Sequence, residues 1–164
     1  MKKVKVLFVC LGNICRSPLA EAIFNHKIAT MGLQHIVMAD SCGTANYHVG
    51  DSPDPRTIAN AKRNGVMIEH IGQQLSSEHF EEFDFILAMD KSNYENILKL
   101  AGASGYAQKV SLMRSFEAEG SHLEVPDPYY GNEKDFQRVF DILDNSMEHF
   151  IQHLENTSGL KQHL

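Results

Sequence analysis

The 164-residue sequence has no tryptophan, only three cysteines and fewer basic than acidic residues. Cys10, Cys15 and Cys42 are too few to build the framework of a disulfide-rich protein, and free thiols predict a reducing compartment. Because 15 Lys and Arg face 21 Asp and Glu, the formal net charge is −6, which disfavours nucleic acid or anionic membranes as partners. Any bound anion must therefore be held by a local arrangement of groups.

Long hydrophobic runs are also missing, since no stretch approaches the ~20 apolar residues of a transmembrane helix. The start resembles a secretion signal only briefly, because its apolar run is short and no small-residue cleavage pattern follows. We therefore expect a cytoplasmic protein with no membrane partner. The apolar content of 43% and charged content of 22% suit one globular domain, which we place at 1–159 with a short tail at 160–164.

Short apolar runs alternate with segments that have helical periods and capping residues. Strands are predicted at 4–9, 34–41, 83–89 and 109–113. Helices are predicted from a cap at Ser17 to Gly32, from Pro55 to Asn64 with Gly65 closing it, from Ser92 to Leu100, and from a cap at Asn132 to a stop at Gly159. This alternation predicts an α/β fold whose parallel sheet has helices on both faces. Ligands bind such sheets beyond the carboxyl ends of the strands.

The turn after the first strand reads Cys10-Leu11-Gly12-Asn13-Ile14-Cys15-Arg16-Ser17. Backbone N–H groups in such a turn form a nest for anions, and Gly12 and Asn13 tolerate the positive φ of a tight turn. Arg16 can grip two phosphate oxygens, Ser17 can donate a further hydrogen bond, and the same field favours the Cys10 thiolate. The alternative is a buried structural cysteine beside an unrelated arginine.

The segment from Val9 to Glu21 resembles the signature of the low-molecular-weight protein tyrosine phosphatases. Four further blocks match in order: Ser41-Cys42-Gly43-Thr44, Pro53-Asp54-Pro55-Arg56, Met89-Asp90-Lys91-Ser92-Asn93 and Asp127-Pro128-Tyr129-Tyr130-Gly131. The resemblance covers nearly the whole chain. It implies a single α/β domain with a four-stranded parallel sheet of order 2-1-3-4 and a phosphate-binding loop (P-loop) after strand 1. It also implies phosphomonoester hydrolysis without a metal or other cofactor.

The resemblance implies that Cys10 is the nucleophile that becomes a cysteinyl-phosphate, that Arg16 clamps the phosphate, and that Asp127 is the general acid and then the base. An aryl phosphate leaves as a phenoxide whose conjugate acid has a pKa of ~10, so a proton donor helps near neutrality. Spacing alone does not select Asp127, because Asp54-Pro55 is an equal dipeptide.

Further substrate-binding and supporting roles are implied by the same resemblance. The implied substrate contacts are Leu11, Gly12, Asn13, Ile14, Cys15 and Ser17 in the turn, with Tyr47, Tyr129 and Tyr130 at the entrance. Tyr47 stands where many members carry a larger aromatic residue, and it would stack on a substrate ring. His70 would support Asn13 and Ser17, although Gln73 replaces a usual arginine beside it. Asp90 and Asn93 would line a wall, although helix capping also explains them.

Some roles stay open at this stage. Cys15 either forms a reversible disulfide with Cys10, as the family precedent has it, or is a small buried loop residue. Cys42 is predicted to lie in the core. A metal site is not predicted, because His149 and His153 are four apart but have no third ligand nearby in sequence. Tyr129 and Tyr130 either take part in the entrance or simply pack a loop.

Three other functions remain as alternatives. A phosphoarginine phosphatase is the nearest, but that branch tends to carry threonine where this chain has Ile14. An arsenate reductase needs extra resolving cysteines, and none follows Cys42. A non-enzymatic phosphoryl carrier would not need Arg16 together with Asp127. We expect phosphotyrosine proteins or small aryl phosphates as partners, inorganic phosphate as product, and a monomer or weakly self-associating chain.

Overall fold

The computed structural model describes residues 3–118, 122–158 and 160. In these residues the chain forms four parallel strands and five α-helices. The strands are β1 (Val4–Cys10), β2 (Val37–Gly43), β3 (Phe85–Ala88) and β4 (Val110–Leu112), and the helices are α1 (Arg16–Thr30), α2 (Pro55–Arg63), α3 (Ser77–Glu82), α4 (Lys91–Ala101) and α5 (Glu133–Thr157). The strand order β2-β1-β3-β4 confirms the predicted α/β architecture and sheet order.

Strand β1 lies inside the sheet and is buried on both faces. Val6 and Phe8 belong to a core cluster with α1 and α5, whereas Leu7 and Val9 belong to a second cluster with α3 and α4. All four side chains are fully buried, and full burial of such a side chain contributes about 1.5–3 kcal/mol. Two-sided burial explains why this strand has no polar alternation. It also confirms that helices cover both faces.

The predicted strand at 34–41 was placed too early. Residues 34–36 form a turn in which the Ile36 and Val37 N–H groups both donate to the Leu33 carbonyl, so pairing with β1 begins at Val37. The predicted strand at 83–89 was also too long. The Phe83 N–H donates to the His79 carbonyl at the end of α3, a helix that the sequence analysis missed because six residues show no clear period.

Helix ends give one correction and two confirmations. Ser17 was expected to cap α1, but the helix begins at Arg16 and has no side-chain cap. Asn132 caps α5, because its Oδ1 atom accepts from the backbone N–H groups of its first turn. Gly65 follows α2 with a φ of 82° that glycine adopts readily.

The proposed stop at Gly159 and most of the tail, 161–164, lie outside the described residues, while Leu160 packs in the main core. The boundary after 159 therefore stays a prediction. Among the described residues, no helix combines the length and apolar character needed to cross a membrane.

Candidate active site

The turn from Cys10 to Arg16 curls between the end of β1 and the start of α1. Asn13 is almost completely buried and has a φ of 58°, a left-handed conformation that asparagine tolerates better than most residues. Gly12 does not have the positive φ that was expected of it. Its lack of a side chain matters instead, because a Cβ there would lie 3.1 Å from Cδ2 of His48.

Hydrogen-bonding groups from the turn surround the sulfur of Cys10. The Ser17 hydroxyl lies 2.9 Å from the Cys10 Sγ, and the Asn13 backbone N–H donates to the same sulfur at 3.3 Å. Cys10 itself is buried at the carboxyl end of β1. These two contacts fix the position of the sulfur at the base of the turn, where it can act as a nucleophile. Ser17 lies in the first turn of α1 with its hydroxyl facing this sulfur, which agrees with the further hydrogen bond predicted for it, although the residue does not cap the helix.

The side chain of Asn13 joins the turn to a polar network behind it. Its Nδ2 donates to Ser17 Oγ at 2.8 Å and to Ser41 Oγ at 3.0 Å, while its Oδ1 lies 2.6 Å from His70 Nε2. The other ring nitrogen of His70 lies 3.2 Å from Glu21 Oε1. The structure thus brings Asn13, Ser17 and His70 together, as the resemblance implied, and adds Ser41 and Glu21.

Gln73 takes part in the same network despite replacing the expected arginine. Its backbone N–H donates to Asn13 Oδ1 at 3.0 Å. Its side-chain amide donates to Asp40 Oδ2 at 2.8 Å and to the Ser41 carbonyl at 2.9 Å. The shorter side chain therefore still connects β2 to the turn.

Glu21, Asp40 and His70 form the group in the described part of the chain whose spacing could hold a metal ion, since their candidate ligand atoms lie within 4.8 Å of one another. Glu21 also accepts a hydrogen bond from Ser41 at 2.8 Å. All three residues also contact the polar network behind Asn13, and support of the turn is enough to explain why they lie together.

Arg16 is held from two other elements. It is 2% exposed, and its Nη1 donates to Asp90 Oδ2 at 2.6 Å and to the Val125 carbonyl at 3.0 Å. Burial alone would lower the pKa of Arg16, but the negative charges of Cys10, Asp90 and Asp127 outweigh burial and raise it. Arg16 therefore stays charged, and its guanidinium is fixed before any substrate arrives.

Asp90 and Asn93 connect this anchor to α4. Asp90 is the N-cap of the helix, because its Oδ1 accepts from the Asn93 N–H at 2.8 Å, and the Asn93 side chain bonds back to the Asp90 backbone. The capping interpretation of both residues is confirmed. Neither residue lines the cavity described next, and Asp90 meets the site through Arg16.

A cavity of about 310 Å³ opens above the turn. It is lined by Cys10, Leu11, Gly12, Ile14, Cys15, Arg16, Tyr47, His48, Asp127, Tyr129 and Tyr130. Tyr47 is 72% exposed and Tyr130 is 96% exposed, so the aromatic rim is open to solvent. His48 was missed by the sequence analysis, although its position directly after Tyr47 was a usable signal. Its Nδ1 lies 3.1 Å from Asp51 Oδ2.

Asp127 lies at this cavity with its carboxylate half-exposed. One oxygen accepts from the Tyr129 N–H at 3.1 Å, and the other lies 3.6 Å from Arg16 Nη2. Asp54, the rival Asp-Pro dipeptide, instead caps α2 and accepts from the Arg56 N–H at 2.9 Å and from its guanidinium at 2.8 Å. The structure therefore distinguishes the two Asp-Pro dipeptides, which the sequence alone could not: Asp127 lines the cavity and Asp54 caps a helix.

Cys15 lines the cavity but differs from Cys10 in its surroundings. Burial raises the pKa of Cys15 to about 12; a hydrogen bond with Thr57 opposes this, while the negative charges of Asp54, Cys10 and Asp127 add to it. Cys15 therefore remains a neutral thiol near pH 7. Burial also raises the pKa of Cys42, which packs in the core as predicted. All three cysteines are free.

Known proteins resemble the chain over most of its length. The family model described as "Low molecular weight phosphotyrosine protein phosphatase" matches residues 5–160. A putative low molecular weight protein-tyrosine-phosphatase of Synechocystis is 45% identical, covering 92% of this chain and 96% of the relative. The low molecular weight phosphotyrosine protein phosphatase of Saccharomyces cerevisiae is 40% identical, and the match covers 92% of this chain and 94% of the yeast protein. The crystal structure of a protein tyrosine phosphatase of Entamoeba histolytica, solved with Hepes in its active site, matches with a TM-score of 0.89 and 42% identity. The match covers 95% of this chain and 99% of that one.

Proposed function

Because the chain belongs to the low molecular weight phosphotyrosine protein phosphatase family and is a phosphatase enzyme, we propose that it hydrolyses phosphotyrosine through Cys10, Arg16 and Asp127. The observation that supports this proposal most directly is that one cavity is lined by all three side chains. The family implies phosphoproteins or phosphate esters as substrates. A cytoplasmic location is part of the proposal, because a catalytic thiol has to stay reduced.

The first step forms a bond between the Cys10 sulfur and phosphorus. The phosphate oxygens accept hydrogen bonds from the N–H groups of the turn and from Arg16. Removing a single donor from a comparable oxyanion site costs roughly 10²- to 10³-fold in kcat. The thiolate attacks phosphorus while the bond to the tyrosyl oxygen breaks. Ser17 and the Asn13 N–H hold the sulfur in position for this attack.

Asp127 supplies the proton that the leaving group needs. Without substrate, its carboxylate lies beside Arg16. A bound phosphate dianion takes over Arg16 as its ionic partner and thereby releases Asp127 from the guanidinium. The carboxyl group then gives its proton to the phenolic oxygen. In the second step the Asp127 carboxylate takes a proton from water, the water oxygen attacks phosphorus, and the P–S bond breaks to release phosphate and the Cys10 thiolate.

The lining of the cavity supports an aryl phosphate as substrate. Ile14 gives the turn an apolar wall, and Tyr47 and Tyr129 place aromatic rings at the entrance. A phenyl ring packs well between such surfaces, whereas the charged guanidinium of phosphoarginine gains no ionic partner from Ile14. The residues thus favour phosphotyrosine over the phosphoarginine alternative.

A substrate panel tests the proposal. Matched peptides that contain phosphotyrosine, phosphoserine or phosphoarginine are offered in EDTA, and phosphate release is followed over many turnovers. We expect steady turnover with the highest kcat/KM on phosphotyrosine and none with Cys10→Ser. A preference for phosphoarginine would contradict the proposed substrate, and a single stoichiometric burst would indicate a phosphoryl carrier.

A further inference from the structure

A second cleft adjoins the catalytic cavity and shares two of its wall residues. Its volume is about 560 Å³, and Leu11 and Tyr47 line both spaces. Leu11 is part of the turn that would hold the phosphate, so the second cleft begins where a phosphotyrosine peptide would leave the first. Leu100, at the end of α4, adds an apolar side chain that is 47% exposed.

Lys99 is the charged residue among those that line this cleft. Gln74 and Asn96 add neutral polar side chains. Lys99 forms no ion pair with a carboxylate of the described residues, even though Glu95 lies one turn earlier on the same helix. An ammonium group without a partner beside an apolar surface suits a ligand that carries both a carboxylate and methylene groups.

The charges around the catalytic cavity indicate on which side a substrate could carry an acidic residue. The chain has a net charge of −6, and Asp51 and Asp127 both lie near the rim, paired with His48 and Arg16 respectively. These carboxylates disfavour acidic residues on their side of the entrance. Lys99 offers a positive charge on a side where no acidic residue lines the cleft.

We propose that the cleft next to Leu11 and Tyr47 is a substrate subsite that binds an Asp or Glu side chain close to the phosphotyrosine of a phosphoprotein. This inference rests on the proposed phosphotyrosine activity and specifies its peptide preference. The substrate carboxylate pairs with Lys99, and the apolar part of the peptide packs on Leu11 and Leu100. The occupant is therefore a segment of the substrate that continues from the catalytic cavity.

Steady-state kinetics with two matched sets of peptides and one small substrate test the subsite. Two sets of phosphotyrosine peptides differ only by Glu or Gln at each flanking position in turn, and a small chromogenic aryl phosphate has no flanking residues. We expect one or two positions where Glu raises kcat/KM two- to five-fold over Gln, as expected for an exposed ion pair. Lys99→Met removes the preference and Lys99→Glu reverses it, and neither changes turnover of the aryl phosphate.

Lys62 supplies the matched control, since it also lies in the last turn of a helix and is exposed, but it lines neither space. Lys62→Glu should leave the peptide preference unchanged. The preference should also shrink as salt is raised, because exposed charges are screened.

Equal loss on Glu and Gln peptides in Lys99→Glu, or a Lys62→Glu effect of the same size, would overturn the subsite. A change in sedimentation of Lys99→Glu, with unchanged peptide preference, would instead assign the cleft to contact with a second copy. Failure of the parent enzyme to hydrolyse any phosphotyrosine peptide, while the aryl phosphate turns over, would reject the proposed function itself. The two failures are therefore distinguishable.

Discussion

The Asp127 carboxylate lies 3.6 Å from the guanidinium of Arg16, although one residue precedes α5 and the other begins α1. Asp90, the cap of α4, holds the same guanidinium at 2.6 Å. Three segments that are far apart in the chain therefore meet at one arginine, at the carboxyl edge of the sheet. As a result, Arg16, the proposed phosphate clamp, and Asp127, the proposed acid, form an ion pair with each other. A substrate phosphate would bind between them.

Replacing Cys10 by serine should abolish turnover while leaving phosphate binding in place. The hydroxyl keeps the shape of the site but is a far weaker nucleophile, so we expect kcat to fall by at least ~10³-fold. Calorimetry with inorganic phosphate should show affinity within a few-fold of the parent. Cys42→Ala is the control, because Cys42 packs in the other core cluster. Retained turnover in Cys10→Ser would rule out Cys10 as the nucleophile.

Asp127→Asn should slow substrates in proportion to how much their leaving group needs a proton. Loss of a general acid costs roughly 10²- to 10⁴-fold for a phenol of high pKa and much less for a nitrophenol. The carboxylate is 45% exposed, so thermal stability should change little. The measurement is kcat across a series of aryl phosphates, and a loss that is equal across the series would argue against acid catalysis.

Gly43→Ala should damage the catalytic turn by direct contact. A Cβ at Gly43 would lie 2.7 Å from the Leu11 carbonyl oxygen, which is closer than real Cβ contacts allow. We expect a loss of about 1–3 kcal/mol in the free energy of unfolding from overpacking. A shift of the turn by ~1 Å would cost roughly 10²-fold in kcat.

Gly65→Ala separates this effect from simple backbone strain. Gly65 has a φ of 82°, and an added Cβ there would contact nothing within 4 Å. It should cost about 1–2 kcal/mol in stability through the left-handed backbone and leave kcat unchanged. If both variants lost turnover alike, contact with the turn would not be the cause.

Peroxide should inactivate the enzyme in a way that depends on Cys15 and on pH. The pKa of Cys15 is raised to about 12, so its thiolate fraction, which attacks an oxidised Cys10, grows about tenfold per pH unit below that value. The activity recovered with dithiothreitol should therefore rise with pH and fall sharply in Cys15→Ser. Mass spectrometry that shows only sulfinic acid on Cys10 at every pH would reject the protective disulfide.

Local patterns predicted the parts of this protein that local chemistry decides. The apolar run of β1, the cap at Asn132 and the turn from Cys10 to Arg16 each have a short-range cause, and the strand order came from the resemblance. The hydrogen bond predicted for Ser17 is present, since its hydroxyl lies 2.9 Å from the Cys10 sulfur, but the residue does not cap α1 as its Ser-Pro pair had suggested.

Contacts between distant segments could not be predicted from the sequence. Glu21 on α1, Ser41 on β2 and His70 in the loop before α3 become neighbours only when the sheet pairs β1 with β2. Likewise, nothing in the local pattern links Asp90 to Arg16. These contacts follow from tertiary packing, which short-range propensity does not encode.

The most direct test of the account is to trap the phosphorylated enzyme. Asp127→Ala, which would form the intermediate from a good leaving group but hydrolyse it slowly, is mixed with a nitrophenyl phosphate, denatured within milliseconds and digested for mass spectrometry. We predict one phosphoryl group on the sulfur of Cys10, appearing and decaying at rates that account for turnover. A phosphoryl group on another residue, or unmodified Cys10 during sustained turnover, would contradict the account.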